Sequence, residues 1–336
     1  MKQQIGFLGV GQCGGNIVNL FDSKGYRCAY LNTSVEDLNS FKGNYKIHIK
    51  GGEGASKNRK AALQLAAKSI DIIVTRITDV LPQEYITVCF AAGGGTGSGL
   101  SPFICSYLTQ LGKTVVPVIV LPNEAIESVK ACENAYNCCK DLSSINTGAI
   151  FLLDNSRMAD KFSINTQFVK EFDAMLNMST NSSLGNIDKS EIKTLLKTSG
   201  ISIISKLSKT KSNMSQILYT FRDNIYAEIE NKRPTLIGVS TCNKSLRLDE
   251  LTIEFQTSLY DTFYGVSDNR TVVVLSGMQW PMERINKYKE RAKSLNLPQK
   301  SHNLFENLDP KIKEVQVTNG KTEPLDSRSL LMNFLK

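Results

Sequence analysis

"AAGGGTGSGL", residues 91–100, places five glycines in the seven residues from Gly93 to Gly99. Glycine loses more conformational freedom on folding than any other residue, so a run this dense belongs where backbone must come very close to something. The stretch before it, "YITVCFAA" (85–92), is apolar and rich in β-branched and aromatic residues, as in a buried strand. The stretch after it, "LSPFICSYLTQLG" (100–112), carries apolar residues at helical spacing and closes on Gly112. A helix N-terminus offers free backbone N–H groups and the positive end of a dipole, and bare glycines let phosphate oxygens reach them. The loop therefore reads as a phosphate cradle; the alternative is a tight strand-to-helix turn that holds nothing.

Two common phosphate-binding patterns do not account for it. A P-loop requires G-x-x-x-x-G-K-[ST]. "GKT" occurs at 112–114, but Tyr107 stands where the first glycine belongs, and "TVVPVIV" reads as a strand. A second glycine cluster lies in "QQIGFLGVGQCGGNIVNLF" (3–21), where Gly9, Gly11 and Gly14 have G-x-G-x-x-G spacing between a strand and a helix. That dinucleotide fingerprint requires an acidic residue at the end of the next strand to hold a ribose. The next strand, "YRCAYLNTS" (26–34), ends in Asn32 and Thr33 instead.

With 336 residues, 41% apolar and 21% charged, the chain can hold two domains of an ordinary globular protein. No apolar run approaches membrane-spanning length, and "MKQQIGFLG" enters the first strand directly, leaving no room for a signal peptide. The expected location is cytoplasmic. The eight cysteines form no C-x-x-C pairs and read as reduced core thiols, so no metal-ligand set is expected. With only His48 and His302 present, catalysis, if any, has to come from carboxylates and backbone.

In the first half, "IGFLGV", "CAYLNT", "YKIHI", "YITVCFAA", "TVVPVIVL" and "GAIFLLD" read as strands, with helical stretches between most of them. That alternation predicts an α/β fold with a doubly wound parallel sheet, whose ligand crevice lies at the carboxyl ends of the strands. A helix is predicted from about Asn165 to Met178. Beyond it, "ISIISKL", "TLIGVST" and "RTVVVLSGM" read as strands around the helices "MSQILYTFRDNIYAEIEN" (214–231) and "LDELTIEFQTSLYDTFY" (248–264). The region from about Pro298 is polar and irregular until "SLLMNFLK" and is expected to be partly disordered.

"GGGTGSG" and "GVGQCGGNIVN" at these positions resemble the signature and first nucleotide loop of the tubulin/FtsZ superfamily. The remaining loops follow in the family order over residues 1 to about 290: "LNTSVEDL" resembles the second, "KGGEGASKNRKAA" the third, "LPNEAIESVKACENA" the fifth or ribose loop, "LLDNSRM" the sixth or base loop, and "GNIDKSEIK" the seventh. The resemblance implies a GTP-binding domain (1–162), a core helix and connection (163–185), a smaller α+β activation domain (186–297) and a tail (298–336). It implies GTP/GDP and Mg2+ as cofactors. By motif position it assigns Gly11, Gln12, Cys13 and Asn16 to the first phosphate loop, Asn32 to the second, and Gly93, Gly94, Gly95, Thr96, Gly97 and Ser98 to the main cradle. Glu127 matches the ribose-contacting glutamate, with Glu124 a near alternative. Asn155 matches the base-contacting asparagine, whose amide can pair with the guanine edge; a helix N-cap is the other reading. Asn165 or Asp173 stands at the second base contact, depending on how the core helix is matched.

In "NIDKSE", Asn186, Asp188 and Glu191 match the family's seventh loop, whose acids project toward the nucleotide of a neighbouring subunit. Locally, Asp188 and Glu191 also form a D-x-x-E capping box, and both readings can hold. An active site split across a head-to-tail contact requires self-association, and a heterologous contact that does not close gives a filament. The third loop lacks the G-x-G-A-G-x-x-P form of cell-division FtsZ, and the compact length is closer to the TubZ branch, found in plasmid partition and in phages. DNA segregation is the role that branch implies; a cell-division role and a static GTP-binding scaffold are the alternatives. Residues 281–300 carry six Lys or Arg against two Glu, a basic stretch that fits a solvated face or contact with a DNA-bound adaptor. The apolar face of "SLLMNFLK" suits a groove on a neighbour or adaptor.

Overall fold

The computed structural model describes residues 1–52, 54–255, 259–293 and 326–335. In chain order the first half contains β1 (Ile5–Val10), α1 (Gly11–Asp22), β2 (Arg27–Asn32), α2 (Val35–Ser40), β3 (Lys46–His48), α3 (Arg59–Ala67), α4 (Ile70–Val80), β4 (Tyr85–Ala91), α5 (Thr96–Gln110), β5 (Thr114–Leu121), α6 (Val129–Ser143) and β6 (Ala149–Asp154). The long helix α7 (Lys161–Leu176) follows. Beyond it come α8 (Lys189–Lys197), β7 (Gly200–Ser208), α9 (Met214–Arg222), β8 (Leu236–Thr241), α10 (Leu248–Glu254), β9 (Asp261–Val266), β10 (Arg270–Met278), α11 (Met282–Lys293) and α12 (Ser327–Leu335).

The strands run in the order β3-β2-β1-β4-β5-β6-β7-β10-β8-β9, parallel from β3 to β7, with β10 antiparallel to both neighbours. The order reverses between β1 and β4, whose side chains are almost wholly buried, as expected where helices cover both faces. A reversal of this kind opens a crevice beyond the carboxyl ends of the two strands. Both glycine loops emerge there. All eight cysteines are free, and among the described residues no helix is long and apolar enough to cross a membrane.

Four expectations are corrected. The core helix begins at Lys161, four residues before the predicted start, because Asp160 caps it by accepting from Phe162 N and Ser163 N at 3.0 and 3.1 Å. The helix predicted over 214–231 ends at Arg222; the chain then turns back along β6, with Ala227 N donating to Leu152 O and Asp154 N to Ile225 O. The helix predicted over 248–264 ends at Glu254, and Asp261–Val266 forms a strand parallel to β8: β8 is wholly buried, so its backbone groups need a partner that water cannot supply, whereas the partly exposed β9 can end the sheet. The apolar face of the terminal segment is not left for a partner: α12 packs on α3, α4 and α5 of its own chain, with Leu331 buried and Phe334 edge-on to Phe103. The predicted disorder over 298–325 lies outside the described residues.

Behind the sheet, α7 buries Glu171, which accepts from Tyr226 Oη at 2.8 Å and from Gln167 Nε2 at 2.9 Å. Burial pushes this carboxyl up to about 7, against the pull of both hydrogen bonds. A carboxyl raised in the folded state holds its proton more tightly there than in the unfolded chain. Its contribution is therefore most favourable in acid and is lost as pH rises from about 4.3 through the folded value. Glu171→Gln keeps an acceptor for Tyr226 without the charge. Its unfolding free energy should exceed that of the wild type by about 1–3 kcal/mol at pH 8, with the gap closing by pH 5; a gap that does not change with pH would refute the assignment.

Candidate functional site

The crevice is one continuous cleft with two lobes, of ≈ 420 and ≈ 290 Å³, which share Gln12, Cys13, Ala91 and Gly94. The larger lobe is walled by the start of α1, the second loop, residues 54–56 of the third loop and the start of α5. Here two helix N-termini converge, and the dipoles of α1 and α5 add their positive ends where an anion would sit. Gly11 takes φ +71°, a left-handed turn that swings the chain from β1 into α1. Thr33 and Thr96 hydroxyls meet at 2.9 Å and join the second loop to the cradle.

Most of the glycines serve contacts between loops. A Cβ on Gly14 would lie 2.0 Å from Cys89 O, and one on Gly9 2.8 Å from Gly14 O, so α1 rests directly on the strands. A Cβ on Gly95 would lie 2.8 Å from Ala55 Cβ and Asn58 N, and one on Gly99 2.8 Å from Arg59 O. The third loop and α3 thus press onto the cradle. Gly94 differs: the nearest atom to a Cβ there is Ala91 O at 3.9 Å, and the residue borders both lobes. Asn134, buried on α6, braces the arrangement by donating Nδ2 to Lys57 O, Gly93 O and Gly94 O. With those carbonyls turned toward α6, the cradle's N–H groups are left for the cleft.

The smaller lobe collects the other predicted residues. Asn16, Glu127, Asn155 and Asn165 line it, with Pro122 and Val120 forming its apolar wall. Of each pair of alternatives, Glu127 and Asn165 border this lobe. Glu124 faces away and pairs with Arg284, while Asp173 lies apart on α7, bound to Lys24 at 2.9 Å and to Tyr26 at 2.7 Å. Asn155 caps no helix, since the N-cap of α7 is Asp160. Asn32 borders the larger lobe, but its amide is engaged with Asp37 and with the backbone of Thr33 and Ser34. Ser98 is wholly buried and donates its hydroxyl to Gly94 O, so it shapes the loop without reaching the cleft. Burial pushes the Cys13 thiol up to about 12, which keeps it neutral at the mouth of α1.

Five lining or bracing residues escape the sequence reading: Lys57, Lys161 and Phe162 in the smaller lobe, Asp37 in the larger, and Asn134 behind the cradle. Lys161 Nζ meets Glu127 Oε1 at 2.6 Å, and Lys57 Nζ meets its other oxygen at 3.8 Å, so both ammoniums span the cleft. Phe162 is 67% exposed at the start of α7. The Asp160 cap was the signal that could have placed Lys161 and Phe162 at a helix start; Asn134 carries no local signal at all.

Asp188 and Glu191 lie elsewhere. They form a complete capping box: Asp188 Oδ1 accepts from Ser190 N, Ser190 Oγ and Glu191 N, and Glu191 Oε2 accepts from Asp188 N at 2.8 Å. The hydrogen bond from the Ser190 hydroxyl, with the backbone N–H groups, holds the Asp188 carboxyl below its ordinary range. Asn186 is exposed just ahead of the box. The helix they open, α8, lies along the amino edge of the sheet: Lys197 pairs with Glu84 at 3.2 Å, immediately before β4, and Lys189 and Lys193 act on the Met1 amino group ahead of β1. The cleft begins where β4 ends. Seven residues of strand, about 20 Å at roughly 3.3 Å per residue, separate the two edges.

Comparison with known proteins places this architecture. Residues 4–163 match the model of the Tubulin/FtsZ family, GTPase domain. The chain is 30% identical over 293 residues to the tubulin-like protein TubZ of Clostridium botulinum C phage, covering 83% of this chain and 80% of that one. It is 26% identical over 220 residues to cell division protein FtsZ 1 of Pyrococcus horikoshii, covering 61% and 58%. The crystal structure of Clostridium botulinum phage c-st TubZ superposes with a TM-score of 0.78 at 27% identity, over 87% of this chain and 98% of that one. A GTPγS-form protofilament of Bacillus thuringiensis serovar israelensis TubZ shares the fold, with a TM-score of 0.74 at 16% identity over 86% and 91% of the two chains.

Proposed function

We propose, from the premise that this chain belongs to the tubulin/FtsZ family of polymerising GTPases, that it binds GTP in the cleft and hydrolyses it at the contact between successive subunits of a filament. The observation that carries this reading is the placement of the cleft and of Asp188 with Glu191 on opposite edges of one sheet. No single chain brings them together. A head-to-tail copy sets the acids of one subunit over the cradle of the next, and repetition of that contact generates a filament.

In this reading the glycine loops and both helix N-termini hold the phosphates, Asn155 and Asn165 read the guanine edge, and Glu127 meets the ribose. Phe162 offers a ring face on which a base can stack. The larger lobe also suits Mg2+: Asp37 and the hydroxyls of Ser34 and Thr96 supply hard oxygen. When bound, it would neutralise charge on the β- and γ-phosphates. Asp188 and Glu191 of the incoming subunit orient the attacking water, and loss of the γ-phosphate weakens the contact.

DNA segregation is the cellular role implied by the loop pattern's resemblance to the TubZ branch, and the chain's similarity to a phage TubZ agrees with that branch. Residues 163–185 then act as the connection and 186–297 as the activation domain, with a DNA-bound adaptor as partner. GTP turnover per subunit measured against protein concentration, with light scattering in parallel, tests the central claim. Turnover should rise steeply above a threshold concentration at which scattering appears; turnover independent of concentration would overturn it.

A further inference from the structure

We propose that Arg284 is a positioning residue for guanine recognition, holding the base-reading and ribose loops in register from α11; the inference rests on the cleft being a guanine-nucleotide site. Within the basic stretch that sequence reading left to solvent or to DNA, Arg284 is 8% exposed. Its Nη2 donates to Asp154 Oδ1 at 2.7 Å, to Pro122 O at 3.2 Å and to Ser156 Oγ at 3.3 Å, while Nη1 pairs with Glu124. Asp154 Oδ1 also accepts from Ser156 N at 2.8 Å and from Ser156 Oγ at 2.7 Å, which fixes the turn that carries Asn155. One turn further along α11, Tyr288 Oη donates to Pro122 O at 2.7 Å. Pro122 and Asn155 both line the smaller lobe, and Glu124 lies three residues before Glu127.

One planar guanidinium thus braces, through side chains, two loops that leave the sheet side by side, where Leu121 pairs with Asp154 and Asn155 N donates to Leu121 O at 3.1 Å; its own Nε is buried and without a hydrogen-bond partner among the described residues. A buried ion pair of this kind contributes little net stability relative to an apolar pair of similar size. What it supplies is orientation, here of the two loops that frame a base and its ribose.

Arg284→Lys keeps a positive charge near Asp154 and loses the fork. Competition titrations of the full chain below its assembly threshold, with GDP, IDP and inorganic tripolyphosphate, read the two ends of the cleft separately, since IDP lacks the guanine amine and tripolyphosphate lacks a base. The variant should bind GDP about ten-fold or more weakly, show a smaller preference for GDP over IDP, and bind tripolyphosphate as the wild type does. Tyr288→Phe removes one hydrogen bond to Pro122 without uncovering a charge. It should move the GDP to IDP ratio in the same direction by a smaller factor, and it carries the test if the lysine variant does not fold. Equal weakening of all three probes, or a GDP to IDP ratio unchanged in both variants, overturns the inference. A wild-type protein that binds tripolyphosphate but does not prefer GDP to IDP overturns the guanine reading itself, and the inference with it.

Discussion

Glu191→Gln slows GTP turnover by roughly 10²-fold, the scale of a removed positioned acid or base group, while GTP affinity and thermal stability stay at wild-type values. Glutamine is chosen because the capping box accepts either residue at this position. Its side-chain oxygen can still accept from Asp188 N, the contact that Glu191 makes at 2.8 Å. Alanine would remove that contact and cost about 1 kcal/mol of helix stability, so a slow alanine variant would confuse two causes. If the acid acts in the neighbouring subunit, as proposed, filaments of the glutamine variant should form and persist, and a minority of it mixed into wild-type protein should lengthen filament lifetime. Turnover within a factor of two of wild type, in filaments that scatter normally, would leave Glu191 as a cap and nothing more.

Gly94→Ala weakens nucleotide binding by about 10- to 100-fold, equivalent to about 1.4–2.8 kcal/mol, with the fold intact. A methyl group there meets no protein atom nearer than Ala91 O at 3.9 Å, and its backbone is not left-handed. The substitution should even stabilise the empty protein by about 0.4–1 kcal/mol through the unfolded chain. The only thing displaced is whatever occupies the cleft. Gly95→Ala is the contrast, because its Cβ would lie 2.8 Å from Ala55 Cβ and Asn58 N and would push the third loop away. Thermal melting alongside titration with a fluorescent GDP analogue separates the two. Normal affinity in Gly94→Ala would remove the cradle from this loop.

That contrast also shows how far sequence reasoning reached. Density of glycine signals close approach, but the partner of Gly95, Gly97 and Gly99 is chiefly other backbone, and no sequence pattern says which loop will lie on which. Strands such as Ile5–Val10 and Thr114–Leu121 were legible to the residue, because a fully buried strand is a short apolar run bounded by turn residues. Asp261–Val266 was not legible. It follows a helical pattern without a glycine or proline break, and only the open edge of β8 makes it a strand. The same holds for residues 223–231, whose Ile225 and Ile229 share helical spacing yet are buried beyond the end of α9. The apolar face at Leu331 and Phe334 was visible, but its occupant was not, since that depends on the surface formed by α3, α4 and α5. Arg284 shows the limit for charge: six basic residues in twenty suggest a solvated face, and only the fold turns this one inward.

The direct seating of α1 on β4, with no room for a side chain between Gly14 and Cys89 O, has a kinetic consequence. Backbone against backbone is stiff, because close-packed atoms have nowhere to yield. The compliant part of the cleft is its other end, where the half-exposed ammoniums of Lys57 and Lys161 meet Glu127 across the opening. Surface ion pairs of that kind break and re-form at little cost. On the proposed reading, the base end of the cleft is the side that yields first, and replacing Lys57 or Lys161 by Ala should shorten nucleotide residence more than it changes phosphate contact.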